Sequence, residues 1–540
     1  MHLNGAVTSA LIALLRSDLE AARFTVDTLD ALWGERAASA LFRGQRLPAL
    51  RAIAVMQAAQ SAAGREPDAA ATLASLLMLG MPQPREAVAS ALPSLGLDGA
   101  TELGLVELVP GAQGGELVRP LIDLRPYGFT DRRGAGHWWI ASDLGELSSG
   151  AALRPDHVLG VGGASMTLSG LMITEPVDSV LDLGTGCGIQ AMHASRHAAR
   201  VVATDISSRA IALARFNAEL NEIGTIEFRQ GNLFEPVEGE LFDQIVSNPP
   251  FVITPRGGGV PEYEYRDGGM VGDALVAEVI RGAAASLVPG GIAQLLGNWE
   301  YRDGQDGLDR VAGWVGGPAG ARLDAWVVER EVQDAASYSE TWIRDGGTRP
   351  GTAEFDSLYA AWLDDFDSRG VESVGFGYLT LRRRADDAPP FRRFERLHEA
   401  MGSNRAGLGE HVAACLAAHD WQAALSDESL GLSTLVVASD VTEERHYWPG
   451  DEHPAVITLR QGGGFARSIE AGTALAALVG ACDGELSVRA ICAALAHLLE
   501  VEERELSGEL LPSIRELLDT GILLSPAERQ STDGLAKVRV

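Results

Sequence analysis

Val180-Leu181-Asp182-Leu183-Gly184-Thr185-Gly186-Cys187-Gly188-Ile189-Gln190 reads as an apolar strand, a tight glycine turn and the first turn of a helix. Glycine at 184, 186 and 188 lets the backbone bend sharply and admits a ligand where a side chain would collide. A Gly-x-Gly-x-Gly turn alone is shared by several nucleotide-binding folds, so its neighbours decide. Asp182 sets a carboxylate at the strand end, where it can accept from a ligand ammonium, directly or through water. Asp205 closes the next strand, Val201-Val202-Ala203-Thr204-Asp205, where a carboxylate can accept both hydroxyls of a ribose.

Working outward, strands are expected at 179–183, 200–205, 226–230, 244–247 and 291–296, with helices at 208–221 and 273–287 between them. Later strands fall at 323–329 and 374–381, around a helical insertion at 354–367. Such alternation predicts an α/β unit, a parallel sheet covered on both faces, over residues 151–385.

The strand Asp243-Gln244-Ile245-Val246-Ser247 delivers Asn248-Pro249-Pro250-Phe251. Two prolines stiffen the backbone and remove two N–H donors, which leaves carbonyls facing outward at the sheet edge. The Asn248 side-chain oxygen and the Pro249 carbonyl can take both hydrogens of a planar NH2 group, aiming its nitrogen at an electrophile, and Phe251 can stack on that group.

With these two motifs the chain resembles the class I S-adenosylmethionine-dependent methyltransferases. Within them it is similar to the small-domain group of release-factor glutamine methyltransferases and ribosomal-RNA guanine and adenine N-methyltransferases. The resemblance spans about 150 residues and implies a Rossmann-like, seven-stranded core. It implies that Asp182, Gly184, Thr185, Gly186, Cys187 and Gly188 meet the methionine part of S-adenosylmethionine, and that Asp205 and Ile206 meet its ribose. Asn232 and Leu233 would meet its adenine, in a place where the family usually has Asp. Asn248, Pro249, Pro250 and Phe251 would hold the acceptor nitrogen, with Asn248 also bordering the cofactor. The glutamine enzymes usually carry Tyr where this chain has Phe251, whereas Arg266-Asp267-Gly268-Gly269-Met270 resembles their glycine-rich segment, a loop over the substrate or a plain connection. Gly160 to Ser165 and Thr167 are expected to close on the cofactor. The implied chemistry is direct displacement by a neutral nitrogen, with no metal and no covalent enzyme intermediate.

Residues 1–150 read as helices (9–19, 48–63, 69–79) followed by strands near 105–109, 116–124 and 137–142, a helical and winged-helix-like domain over which 69–145 form the winged part. Its last helix, near 94–103, carries Asp98 and Glu102 and no Arg or Lys, so it is read as a packing or protein-docking element. Residues 386–540, after Ala388-Pro389-Pro390, read as an α+β domain ending in a winged-helix-like docking module. Its helices are expected at 469–479, 488–499 and 502–520, the last interrupted at Pro512, before a strand at 521–524.

The 540 residues carry 44 basic and 74 acidic side chains, a formal net of −30. Residues 1–150 have a net of −4, residues 151–300 of −9 and residues 301–540 of −17, so no section is basic. That ranks a protein or peptide amide above an RNA or DNA base as acceptor. A third reading is a regulator that senses the cofactor, and the intact acceptor motif argues against it. Four scattered cysteines form no Cys-x-x-Cys pair, His193 and His197 have no metal spacing, and no membrane span or signal pattern is present. A cytoplasmic protein is expected, and its oligomeric state is left open.

Overall fold

The computed structural model describes residues 5–111, 115–145, 154–257, 260–261, 263–317, 322–386, 390–404 and 407–526. The expected boundary at 150/151 and the linker residues Ala388 and Pro389 lie outside these. The chain forms two compact units, one of residues 1–169 and 175–396, the other of 170–174 and 397–540.

Apolar runs such as Val180-Leu181 and Ile245-Val246 are buried on both sides, which suits the interior of a parallel sheet. The core sheet has eight strands, numbered here in chain order: β1 Val177–Leu183, β2 Ala198–Asp205, β3 Ile226–Gln230, β4 Phe242–Ser247, β5 Leu287–Arg302, β6 Leu323–Asp334, β7 Val371–Arg383 and β8 Arg392–Arg396. Their order is β8-β6-β7-β5-β4-β1-β2-β3. Strands β1 to β5 pair in parallel, and β7 lies antiparallel between β5 and β6. The expected Rossmann-like α/β sheet is present with one strand more than seven. The addition is β8, which pairs in parallel with β6. Its short Arg-rich sequence follows a proline stretch, so it reads as the start of another domain.

Because β2 and β3 lie on one side of β1 while β4 and β5 lie on the other, the chain reverses direction between β1 and β4. Ligands bind at such a switch point, outside the carboxyl ends of the strands. Register brings those ends level: Leu183 pairs with both Thr204 and Ser247, and Asp205 with Gln230.

Ahead of the sheet, helices Gly5–Ala21, Val26–Trp33, Glu35–Phe42 and Leu47–Ala62 precede a small sheet of Gln83–Pro84, Glu116–Pro120 and Val106–Pro110. The strands Ile122–Asp131 and Gly134–Asp143 do not join that sheet; they pair only with each other. This hairpin instead lies on the helix Ser208–Leu220. Asn217 on that helix is fully buried, accepting from Ala141 N (2.7 Å) and donating to the carbonyls of Ala141 (2.9 Å) and Cys187 (2.8 Å). Asn221 repeats the exchange with Trp139. One buried amide thus ties hairpin, helix and glycine turn together. Asn217→Ala leaves three backbone groups without partners, so urea denaturation should show a loss of about 3 kcal/mol, and less for the half-buried Asn221.

In the second unit the helix expected over 469–479 begins only at Thr473, because Ser468–Glu470 pairs as a strand. The helix Glu503–Asp519 passes Pro512 uninterrupted. Gly508, whose carbonyl the proline leaves without a donor, is exposed, so water can satisfy it.

Candidate active site at the switch point of the sheet

Asp182, one residue before the end of β1, is 1% exposed. One carboxylate oxygen accepts from Thr185 Oγ1 (2.5 Å) and Ala191 N (2.9 Å), while the other is buried with no partner. Burial raises its pKa to about 7 against the lowering effect of those two donors. An acceptor held this way suits a cation brought by a ligand.

Gly184 and Gly186 have φ of +75° and +56°, and a Cβ at either would meet nothing within 4 Å. They supply backbone conformation beside open space. Gly188 shares the left-handed backbone (φ of +90°), and a Cβ there would in addition meet Ala214 Cβ at 3.0 Å and Cα at 3.1 Å, so this glycine also serves the close approach of the helix Ser208–Leu220. Cys187 turns its side chain into the cluster of Trp138, Ile189 and Met192, and burial pushes its thiol up to about 11.

At the end of β2, Asp205 accepts from Gly186 N and Ser207 N, each at 2.9 Å through a different oxygen. Burial, with Glu264 nearby, raises its carboxyl. Each oxygen keeps acceptor capacity for a hydroxyl. Ile206 beside it is 58% exposed, a bare apolar surface at the crevice. Gly231 N donates to Asp205 O (3.0 Å), which fastens the turn after β3 to the end of β2. Asn232 is exposed on this turn, and Leu233 takes the left-handed conformation with φ of +44°. The structure therefore brings Asp182, Asp205, Ile206, Asn232 and Leu233 to one edge. Upstream, Gln190 Nε2 donates to Ser165 O (2.7 Å), seating the helix Gly163–Leu171 against the glycine turn.

Ser247 Oγ donates to Leu183 O (2.7 Å) and locks the ends of β4 and β1 together. Asn248 follows, its side-chain oxygen buried and unpartnered. Pro249 O accepts from Phe251 N (2.7 Å), which leaves that carbonyl one further lone pair. Phe251 O accepts from Asn298 Nδ2 (2.7 Å), and Ile253 N donates to the Tyr338 hydroxyl (2.9 Å). The segment 266–270 braces this motif: Phe251 bridges Asp267, and Val252 N donates to Arg266 O (2.8 Å). Arg256 binds both the Asp267 carboxylate and Met270 O, holding the brace closed. Sequence reading missed Asn298, Tyr338 and Arg256. The available signal was Asn298 itself, an amide in the strand Leu287–Arg302 directly after the apolar Leu295-Leu296-Gly297, where a buried amide needs partners.

His193, on the helix Ile189–Ala194, and His197, on the turn that follows it, both face inward. His193 meets the Tyr127 hydroxyl (3.0 Å) and burial lowers its pKa to about 4, while His197 meets Gln244 (2.7 Å).

A family profile described as "Methyltransferase small domain" matches residues 162–306, the stretch that holds every one of these motif residues. The core is a class I S-adenosylmethionine-dependent methyltransferase domain. A second profile, a domain of unknown function (DUF7059), matches residues 21–116. The methyltransferase domain is similar to the release factor glutamine methyltransferase of Aliivibrio fischeri, 42% identical over 83 residues, covering 15% of this chain and 29% of that protein. It is similar to the enzyme of that name from Xylella fastidiosa, 37% identical over 198 residues, covering 36% of this chain and 58% of the relative. The ribosomal protein L11 methyltransferase of Lactobacillus johnsonii is 41% identical over 102 residues, covering 18% of this chain and 32% of the relative. The chain thus spans 58% or less of the length of these three relatives.

Proposed function

We propose that this protein transfers the methyl group of S-adenosylmethionine to a planar NH2 nitrogen, a glutamine-type amide of a protein or peptide. The observation that carries this reading is the pair of orphaned acceptors, Asp182 Oδ1 at the end of β1 and Asn248 Oδ1 just past the end of β4. Other buried side-chain oxygens also lack a partner, Gln190 Oε1 and Asn298 Oδ1 among them, but these two match the donors that the reaction brings, an ammonium and an NH2 group. S-adenosylmethionine, when bound, supplies an electrophilic sulfonium methyl. Asp182 would take its ammonium, the backbone from Gly184 to Gly188 would border its methionine part, and Asp205 would accept from its ribose. Ile206, Leu233 and Asn232 would line its adenine. Asn248 Oδ1 and the free lone pair of Pro249 O would accept both hydrogens of the acceptor, and Phe251 would stack on it. Orientation by two fixed acceptors is the protein's contribution to attack by a weak amide nucleophile.

Two protein substrates in the names of the relatives support a protein acceptor here. Residues 1–150 and 386–540, apart from β8, are read as flanking docking modules with winged-helix-like parts. We place the protein in the cytoplasm: no described helix is long and apolar enough to cross a membrane, and Cys187, Cys415, Cys482 and Cys492 are buried and free.

One observation favours a nucleic-acid base as the second reading. Charge summed by sections hides residues 36–65, which hold five Arg and no Asp or Glu. Arg36, Arg43, Arg51 and Arg65 are exposed and make no ion pair among the described residues, and Phe42 beside them is 81% exposed. The deciding experiment uses methyl-labelled S-adenosylmethionine in lysate from cells lacking this chain. Label should remain with protein after nuclease treatment; label lost with the RNA would overturn the protein reading. If those four Arg grip single-stranded RNA, log affinity should fall against log salt with a slope of about −3.

A further inference from the structure

The backbone from Asn248 to Thr254 belongs to no helix or extended strand, so no ladder fixes its direction. Apart from the Phe251–Asp267 bridge, the Val252 N–Arg266 O bond and the Phe251 N–Pro249 O turn, side chains hold its polar groups, at Phe251 O and Ile253 N. Strand β5 continues past the end of β4: Leu295 pairs with Ser247, and Asn298 lies three residues further on, level with the motif. Asn298 is fully buried; its amide donates to Phe251 O (2.7 Å) and to the Tyr338 hydroxyl (3.3 Å). Tyr338, also fully buried, comes from the helix Ala335–Asp345, and its hydroxyl accepts in addition from Ile253 N (2.9 Å). The Tyr338 ring is stacked on Phe376 (5.6 Å between centroids, 22° between planes) and meets Phe366 at 74°. Phe376 in turn meets the Phe251 ring edge-on at 6.4 Å.

We propose that Asn298 and Tyr338 are positioning residues that fix the peptide groups on either side of Val252, immediately after Phe251, and through them the aim of the acceptor pair Asn248 Oδ1 and Pro249 O. The hydroxyl of Tyr338 holds the N–H of Ile253, and Asn298, oriented by that same hydroxyl, holds the carbonyl of Phe251. The Asn298 link ends on the residue that closes the Pro249 turn, since Phe251 N donates to Pro249 O, and the Tyr338 link ends two residues further on, at Ile253. Neither residue touches the transferred group. Their effect is on attack geometry, where a displacement of about 1 Å costs roughly a hundredfold in rate. This inference rests on the acceptor role proposed for Asn248 and Pro249.

Tyr338→Phe keeps the ring stacking and removes only the hydroxyl. The assay is transfer of label from S-adenosylmethionine into protein of the knockout lysate, read beside cofactor binding by calorimetry. The expected result is a fall in apparent kcat of at least about tenfold, with the KM and Kd for S-adenosylmethionine within about twofold of wild type. Asn298→Ser, which removes the carbonyl contact, should show the same split. A purely structural role would lower kcat and cofactor affinity together. Proportional losses of that kind, or wild-type kcat in Tyr338→Phe, overturn the proposal while the acceptor reading stands. A wild-type protein that binds cofactor yet transfers no label to protein or RNA removes the acceptor reading and this inference with it.

Discussion

Asn248→Ala should lower methyl transfer by at least about a hundredfold while leaving S-adenosylmethionine affinity within about twofold of wild type. The magnitude follows from the proposed role: one of two fixed acceptors that would align a poorly nucleophilic nitrogen disappears, and a single preorganised polar contact of this kind is worth roughly two to three orders of magnitude in rate. The stability of the variant should go the other way. In the free protein the Asn248 oxygen is buried without a donor, a state that costs free energy. Removing it should leave the thermal midpoint unchanged or slightly higher. Labelled transfer, calorimetry and thermal melting on one preparation check all three. Retained turnover would sink the assignment of Asn248, and lost cofactor binding would move this residue to the cofactor side of the crevice.

Asp182→Asn has the second large effect, again with opposite signs in the free and bound states. Burial lifts the Asp182 carboxyl from its ordinary 3.8 to about 7, so the folded protein keeps a proton there that the unfolded chain has released. Stability from this group is therefore full below about pH 4 and is lost as the pH rises toward about 7. The asparagine variant carries no charge, so in urea it should match wild type in acid and exceed it above about pH 7. Cofactor binding should show the reverse. Loss of a charge-assisted contact to an ammonium costs about 1.5–3 kcal/mol, roughly a tenfold to hundredfold weaker Kd. Wild-type affinity should rise as the pH passes about 7, where the carboxylate forms, and the variant should lose that rise. Equal affinity of wild type and variant at pH 8 or so would show that Asp182 faces no cation.

Much of the candidate site was legible because it depends on short stretches. The turn after β1, the acid ending β2 and Asn248 to Phe251 are each contiguous, and apolar runs bounded by Gly or Pro reveal buried strands. The switch point then follows from the strand order. What was not legible is what acts across distance. Tyr338 lies 85 residues beyond its partner Ile253. It sits on a helix that shows no signal pointing to the acceptor motif. Gly188 turns the backbone like its two neighbours in the motif, yet it has a second reason in Ala214 on another helix. The hairpin 122–143 alternates like the strands before it, and only contacts far along the chain, such as the amides of Asn217 and Asn221 and the ring of His193, show that it belongs against the methyltransferase domain. Charge totals over long sections were too coarse to find the arginines of 36–65, because acids elsewhere in the first 150 residues cancel them.

The shared helix Ser208–Leu220 limits how this chain can be dissected. Phe216 and Leu220 pack in the same apolar cluster as Leu15, Leu19 and Phe24, and Arg16 donates to Leu220 O (2.7 Å). A fragment beginning near residue 150 would retain every motif residue and still uncover that helix face, with Asn217 stripped of the strand it holds. Cofactor capture by such a fragment would then report on a loosened glycine turn. The first third of the chain covers the helix against which Gly188 packs, so truncation is a poor instrument for learning what else it does.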